Sequence, residues 1–246
     1  MMEWLSLSPQ EWQAVGISVK VAFWGTLASL PIGIALAFLL SRKRFPGRAL
    51  LDALVHLPLV LPPVVTGYIL LMVMGRKGVV GEFLATHFGI VFSFRWTGAA
   101  LAAAIMGLPL MVRAIRLSFD AVHRRHEEAA ATLGASPVMV FLTVSLPLAW
   151  PGIMAGAILC FAKALGEFGA TITFVSAIPG ETETISAAIY AALQTPDGET
   201  NVMRLALVSI AISFAALLAA QAMTRKNRSR QGGLCHALTG PRTGCA

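Results

Sequence analysis

Five stretches of at least 17 residues in this chain contain no Asp, Glu, Lys or Arg. They are residues 21–41, 53–75, 96–112, 129–162 and 205–224, with lengths of 21, 23, 17, 34 and 20 residues. A helix needs about 20 apolar residues to cross the hydrocarbon of a bilayer. Backbone polar groups in lipid must be satisfied within the segment that carries them, so such runs become helices. The expected architecture is therefore all-α, a polytopic membrane bundle of about five transmembrane helices. The third run extends through weakly charged sequence toward Phe119. The fourth is too long for one span and is interrupted by Pro137, Pro147 and Pro151. Spans are read at about 14–40, 54–75, 96–117, 150–174 and 203–222, with a cytoplasmic helical loop at about 120–147.

Composition closes off the other classes. Hydrophobic residues make up 57% of the chain and charged residues 13%, with a mean hydropathy of +0.74. Soluble domains carry about 25% charge, so a soluble enzyme, a disordered chain and a collagen are excluded. The net charge of +7 sits in short clusters between apolar runs, which indicates basic membrane-flanking loops and no nucleic-acid partner. Cys160 lies in an apolar run, whereas Cys235 and Cys245 lie in a polar tail. No disulfide framework or zinc site is expected.

Lysine and arginine orient the spans. If the N-terminus is outside, the inner segments hold Arg42, Lys43, Arg44, Arg48, Arg113, Arg116, Arg124 and Arg125. The tail adds Arg225, Lys226, Arg228, Arg230 and Arg242. The outer loop 76–95 holds only Arg76, Lys77 and Arg95. Cytoplasmic loops carry the Lys/Arg excess, so the expected topology is N-terminus outside and C-terminus cytoplasmic. Residues 1–13 read as an external segment, 14–222 as the transmembrane domain and 223–246 as a disordered cytoplasmic tail. The start lacks the basic residues of a signal peptide, so the first span reads as an uncleaved anchor. Five spans cannot form two equal inverted halves, which argues against a self-contained secondary transporter. Gly152 and Gly156 form a GxxxG pair, open to packing within the subunit or between copies.

The most informative segment is 126–147. Glu127 and Glu128 open a run of alanines, as suits a helix N-terminus. Gly134 is a natural helix stop, and Ser136-Pro137 reads as an N-cap followed by a first-turn proline. A short-side-chain knob on the cytoplasmic side could let a partner's groove approach its backbone. It could equally be a plain interfacial hairpin.

Glu128-Ala129-Ala130, then Gly134, then Val144-Ser145-Leu146-Pro147 resembles the EAA loop of bacterial ABC-importer permeases, with Val144 in place of the usual isoleucine. The stretches 164–174, 45–52, 56–65 and 179–182 with 194–196 are similar to molybdate permeases, and sulfate permeases share the layout. The resemblance runs from about residue 11 to 223. It implies the transmembrane type-1 fold and a non-catalytic subunit of an ATP-driven molybdate importer. Tungstate, sulfate and thiosulfate are the alternative cargoes. It also implies a homodimer of permeases, two ATP-binding subunits on the cytoplasmic side, an external molybdate-binding protein and a surrounding lipid bilayer. No cofactor, metal or catalytic residue is expected. The chain lacks a G-x-x-x-x-G-K-[S/T] phosphate loop, so ATP hydrolysis belongs to the partner. The implied coupling residues are Glu127, Glu128, Ala129, Ala130, Leu133, Gly134, Leu146 and Pro147.

Candidate pathway or gate residues are Lys163, Glu167, Phe168, Gly169, Thr171 and Thr173. Lys163 and Glu167, four apart, share a helix face as either a pore-side pair or a structural one. Thr171 and Thr173 share a face only if the backbone there is extended, since a regular helix separates them by about 200°. Pro58, Pro62 and Pro63 interrupt the second span, either as a kink or as a source of free carbonyls along a path. His56 reads as an interfacial histidine, and His123 with His126 as part of a solvated basic face.

Overall fold

The computed structural model describes residues 8–196 and 198–218, and every regular element among them is a helix. In chain order they are α1 (Pro9–Arg42), α2 (Arg48–Val60), α3 (Pro63–Met74), α4 (Val79–Phe88), α5 (Trp96–Ala121), α6 (Arg124–Thr132), α7 (Pro137–Val140), α8 (Leu146–Leu165), α9 (Gly169–Val175) and α10 (Ile185–Leu193). A final helix, α11, spans Glu199–Leu218. A π-helical turn, Phe141–Ser145, joins α7 to α8, so 137–165 runs as one rod. The expected tail, residues 223–246, and Cys235 and Cys245 lie outside the described residues.

The bundle is built around α5. Of its apolar stretch 67% is buried, against 6% for α11. The reason is side-chain size. α5 presents Gly98, Ala99, Ala100, Ala102, Ala103, Ala104 and Gly107, all buried. With so little side chain between them, neighbouring backbones come close. A Cβ on Gly25 of α1 would stand 2.7 Å from the carbonyl oxygen of Ala100, and one on Gly107 would stand 2.5 Å from Cys160 Sγ of α8. Gly156 of the GxxxG pair meets Met111 and Ile115, while Gly152 meets Ser118. That pair therefore packs α8 on α5 within the subunit.

Two apolar cores follow along α5. One gathers Val21, Leu70, Ala103, Leu165, Ala170 and Phe174. The other gathers Leu40, Met111, Ile115, Phe119, Ile153 and Cys160. The loops sort to the two ends accordingly. At one end Ser41 Oγ donates to Asp120, and α1, α5 and α6 converge. At the other, Ser18 Oγ accepts from Ile185 N at 2.8 Å and Arg204 meets Glu11 at 3.4 Å. α1 begins with a reciprocal capping box, Ser8 with Glu11. At 34 residues it is about 51 Å long, well beyond the ~30 Å of hydrocarbon. Its surplus N-terminal turns pack on α10 and α11 through Val15, Ile185 and Leu205.

Two of the expected spans are not single helices. Over 54–75 the chain forms the C-terminal part of α2 and then α3, which meet at 114°. Neither helix is long enough to cross alone. Pro62 holds Leu61 extended (φ −70°, ψ 142°), and Pro63 starts the new helix. Over 150–174 the helix ends at Leu165 and restarts at Gly169. Both breaks coincide with residues that weaken a helix, the prolines in one and Gly166 with Gly169 in the other.

Candidate functional site

The segment 124–147 forms a knob at the end of the bundle that also holds Arg42 and Asp120. α6 has no buried residue. Its end is a complete Schellman motif: Gly134 N donates to Ala131 O at 3.0 Å and Ala135 N to Ala130 O at 3.2 Å. The motif needs a left-handed residue, and Gly134 supplies it with φ +87°. Ser136 then caps α7 by accepting from Met139 N at 3.3 Å.

The two acidic residues part company here. Glu128 is exposed and makes no ion pair among the described residues. Glu127 turns inward, 2.9 Å from Arg42, and accepts from Ser145 Oγ at 2.7 Å. Ala129 and Gly134 are exposed, Ala130 is half-buried, and Leu133 is 89% exposed. Val138, Met139 and Leu142 continue that exposed apolar surface onto the following helix. An apolar knob with one free carboxylate is suited to another protein's groove. Leu146 and Pro147 lie behind it, at the head of α8.

The remaining candidates gather where the two broken helices cross. A Cβ on Gly67 of α3 would lie 2.5 Å from Ala170 O and 2.9 Å from Thr173 Cβ, and one on Gly169 would lie 2.8 Å from Pro63 Cβ. Backbone thus meets backbone, and each break rests on the other. Irregular backbone at membrane depth is tolerated where protein buries it or where it lines a cavity. Pro62 and Pro63 cannot donate, so the carbonyls of Pro58 and Leu59 lose their usual helical partners.

Lys163 and Glu167 are paired at 2.7 Å, but across the break rather than along one helix face. The second carboxylate oxygen of Glu167 accepts from Ala170 N at 3.1 Å. One buried carboxylate therefore staples the end of α8 to the start of α9. The Lys163 side chain is 31% exposed and that of Glu167 1%. Thr171 and Thr173 donate to the carbonyls of Phe168 (2.9 Å) and Gly169 (2.8 Å). α9 is a regular helix, so the two hydroxyls do not share a face. Phe168 packs on Tyr190 of α10, with ring centroids 5.1 Å apart.

Several participants escaped the sequence reading. Arg42 and Ser145 hold Glu127 from positions 85 residues before and 18 after it, beyond any local pattern. Gly67 is inconspicuous until α9 is placed against it. Thr66, beside it, buries a hydroxyl with no hydrogen-bond partner among the described residues.

Residues 29–229 match the family described as the binding-protein-dependent transport system inner membrane component. The chain belongs to this family. It is accordingly a multi-pass protein of the inner membrane. It is 56% identical over 226 residues to the molybdenum transport system permease protein ModB of Escherichia coli (strain K12), covering 92% of this chain and 99% of that one. To the sulfate transport system permease protein CysT of Salmonella typhimurium it is 38% identical over 190 residues, covering 77% of this chain and 68% of the relative. The fold is shared with a chain of a bacterial alginate ABC transporter, solved with its pentasaccharide-bound periplasmic protein. The TM-score is 0.70 at 17% identity, over 90% of this chain and 81% of that one.

Proposed function

We propose that the chain is the membrane-spanning permease subunit of an ATP-driven molybdate importer. The near-full-length relationship to a molybdenum permease carries this reading. The relationship to a sulfate permease is lower and leaves more of that relative uncovered, so molybdate is preferred. The subunit itself does not hydrolyse ATP. It works with a separate ATPase and an external binding protein, and we take it to function as a homodimer with two ATPase copies. Five spans enclose little volume, so a pathway between two copies is the natural arrangement.

The knob is the part suited to receive the ATPase. Closure of the ATPase pair on ATP displaces the knob, and the bundle switches as a rigid body between inward- and outward-open forms. The crossing of the broken helices is our candidate gate. It offers backbone dipoles and one already neutralised charge pair, so a dianion can pass without being held. Selection among oxyanions then falls mainly to the binding protein.

Reconstituted with its ATPase and binding protein, the subunit is expected to take up radiolabelled molybdate only with ATP. Tungstate, matched in charge and size, should compete strongly and sulfate weakly. Uptake without ATP would remove the importer reading, and equal competition by sulfate would reassign the cargo. A stoichiometry other than two permeases to two ATPases would end the homodimer proposal.

Orientation is proposed from the lysine and arginine distribution, with the knob and the 42–48 loop inside. In a variant lacking the three native cysteines, Lys77→Cys should react with an impermeant maleimide in intact cells. Arg44→Cys should react only after lysis. The reverse pattern would invert the topology.

A further inference from the structure

The knob has a mechanical problem. Its outer helix α6 has no buried residue and so no apolar grip of its own on the bundle. The knob's apolar contacts lie beyond α6, where Phe141 packs on Phe38 of α1 and Phe119 of α5. Force on α6 itself passes through the chain at its two ends and through directed polar bonds. Those bonds converge on one guanidinium. Arg42, the last residue of α1, has a side chain only 10% exposed. Its Nη2 lies 2.9 Å from Glu127 Oε1 and donates to Val122 O at 3.0 Å. Val122 closes α5, immediately before the knob. The same Glu127 oxygen accepts from Ser145 Oγ at 2.7 Å, in the π turn at the head of α8. α1, α5, α6 and the α8 rod therefore meet at a single ion pair.

We propose that the Arg42–Glu127 pair is the strut that carries displacement of the knob into the transmembrane bundle, which makes both residues positioning residues for coupling. This rests on the importer reading. It assigns Glu127 a task different from that of Glu128: Glu128 faces outward toward the ATPase, and Glu127 faces back into the permease. A flexible tether would let the knob follow the ATPase while the bundle stayed still. A charge-assisted pair that also grips the hinge carbonyl forces the two to move together.

The decisive quantity is molybdate transported per ATP hydrolysed by the purified complex. A merely structural contact changes how much complex is recovered, and a strut changes this ratio. Arg42→Ala and Glu127→Ala are each expected to lower the ratio roughly tenfold, equal to about 1.4 kcal/mol of coupling free energy. Arg42→Lys, a point charge without the forked donors, should fall between these and the wild type. The exchanged pair Arg42→Glu with Glu127→Arg should recover part of the ratio. An unchanged ratio in both alanine variants overturns the proposal, as does failure of either to assemble with the ATPase while the exchanged pair assembles but stays uncoupled. The wild-type complex separates the two ideas. If it shows no ATP-driven uptake the importer reading fails, whereas a deficit confined to the variants concerns the strut alone.

Discussion

Gly134→Asp is expected to leave the subunit in the membrane in near-normal amounts and abolish its co-purification with the ATPase. Three effects act together at one exposed position. The backbone there has φ +87°, where a Cβ costs about 1–2 kcal/mol. The new carboxylate sits at the C-terminal end of α6, where the helix dipole disfavours negative charge by about 0.3–1 kcal/mol. It also places charge beside Leu133, the most exposed apolar side chain of the knob. None of these touches the bundle core, because a Cβ at Gly134 meets nothing within 4 Å. Two further variants separate the causes. Gly134→Asn meets the left-handed turn much as Asp does but adds no charge, and should keep most of the binding. Gly134→Ala carries the strain alone and should be intermediate. Normal uptake and wild-type ATPase recovery by Gly134→Asp would remove the knob from the docking role.

The second large effect is expected at the staple between α8 and α9. Its two partners differ sharply in exposure, and that decides which substitution is worse. Removing Lys163 leaves a carboxylate that is 1% exposed without its cation. Breaking a fully buried pair in this way costs about 3–5 kcal/mol. The cost is less here, because water reaches the Lys163 side and Ala170 N still donates to the carboxylate. Glu167→Gln instead leaves an ammonium that is 31% exposed and can be rehydrated. Its amide oxygen can still accept from Ala170 N, so the loss should be near the ~1 kcal/mol of an ordinary hydrogen-bond change. Lys163→Ala is therefore expected to bring uptake to background with reduced thermal stability of the solubilised subunit. Adding Glu167→Gln to Lys163→Ala should restore part of both. Strictly additive losses in the double variant would show that the pair acts as two independent groups. Normal transport by both single variants would end any role for the staple in the gate.

What was legible in the sequence depended on the range of the interaction. The Schellman end at Gly134 and the cap at Ser136 were legible because each uses bonds within five residues. The division of labour between Glu127 and Glu128 was not. Adjacent acidic residues at the start of one helix look alike until Arg42, 85 positions away, selects one of them. The Lys163–Glu167 pair was legible as a pair, since four-residue spacing brings side chains together. Gly166 and Gly169 mark the helix around the pair as weak. That the ion pair bridges the interruption, with Glu167 turned onto the start of α9, was not legible. Thr171 and Thr173 read as open candidates and turn out to donate to carbonyls three and four residues back, a local alternative that every threonine in a helix has.

The run lengths, the sparse charges and the prolines by themselves determined that this chain is a helical membrane bundle and where its helices weaken. Those properties are local: transfer of an apolar residue into lipid, or the missing N–H of a proline, acts without reference to distant parts of the chain. Only the tertiary structure decided that the second apolar run bends by 114° and that its break rests on the break before α9. A proline permits a bend, but its angle is set by what packs on either side. Here that is the bare backbone of Gly67 against Ala170, a contact that exists only once two segments a hundred residues apart have been brought together.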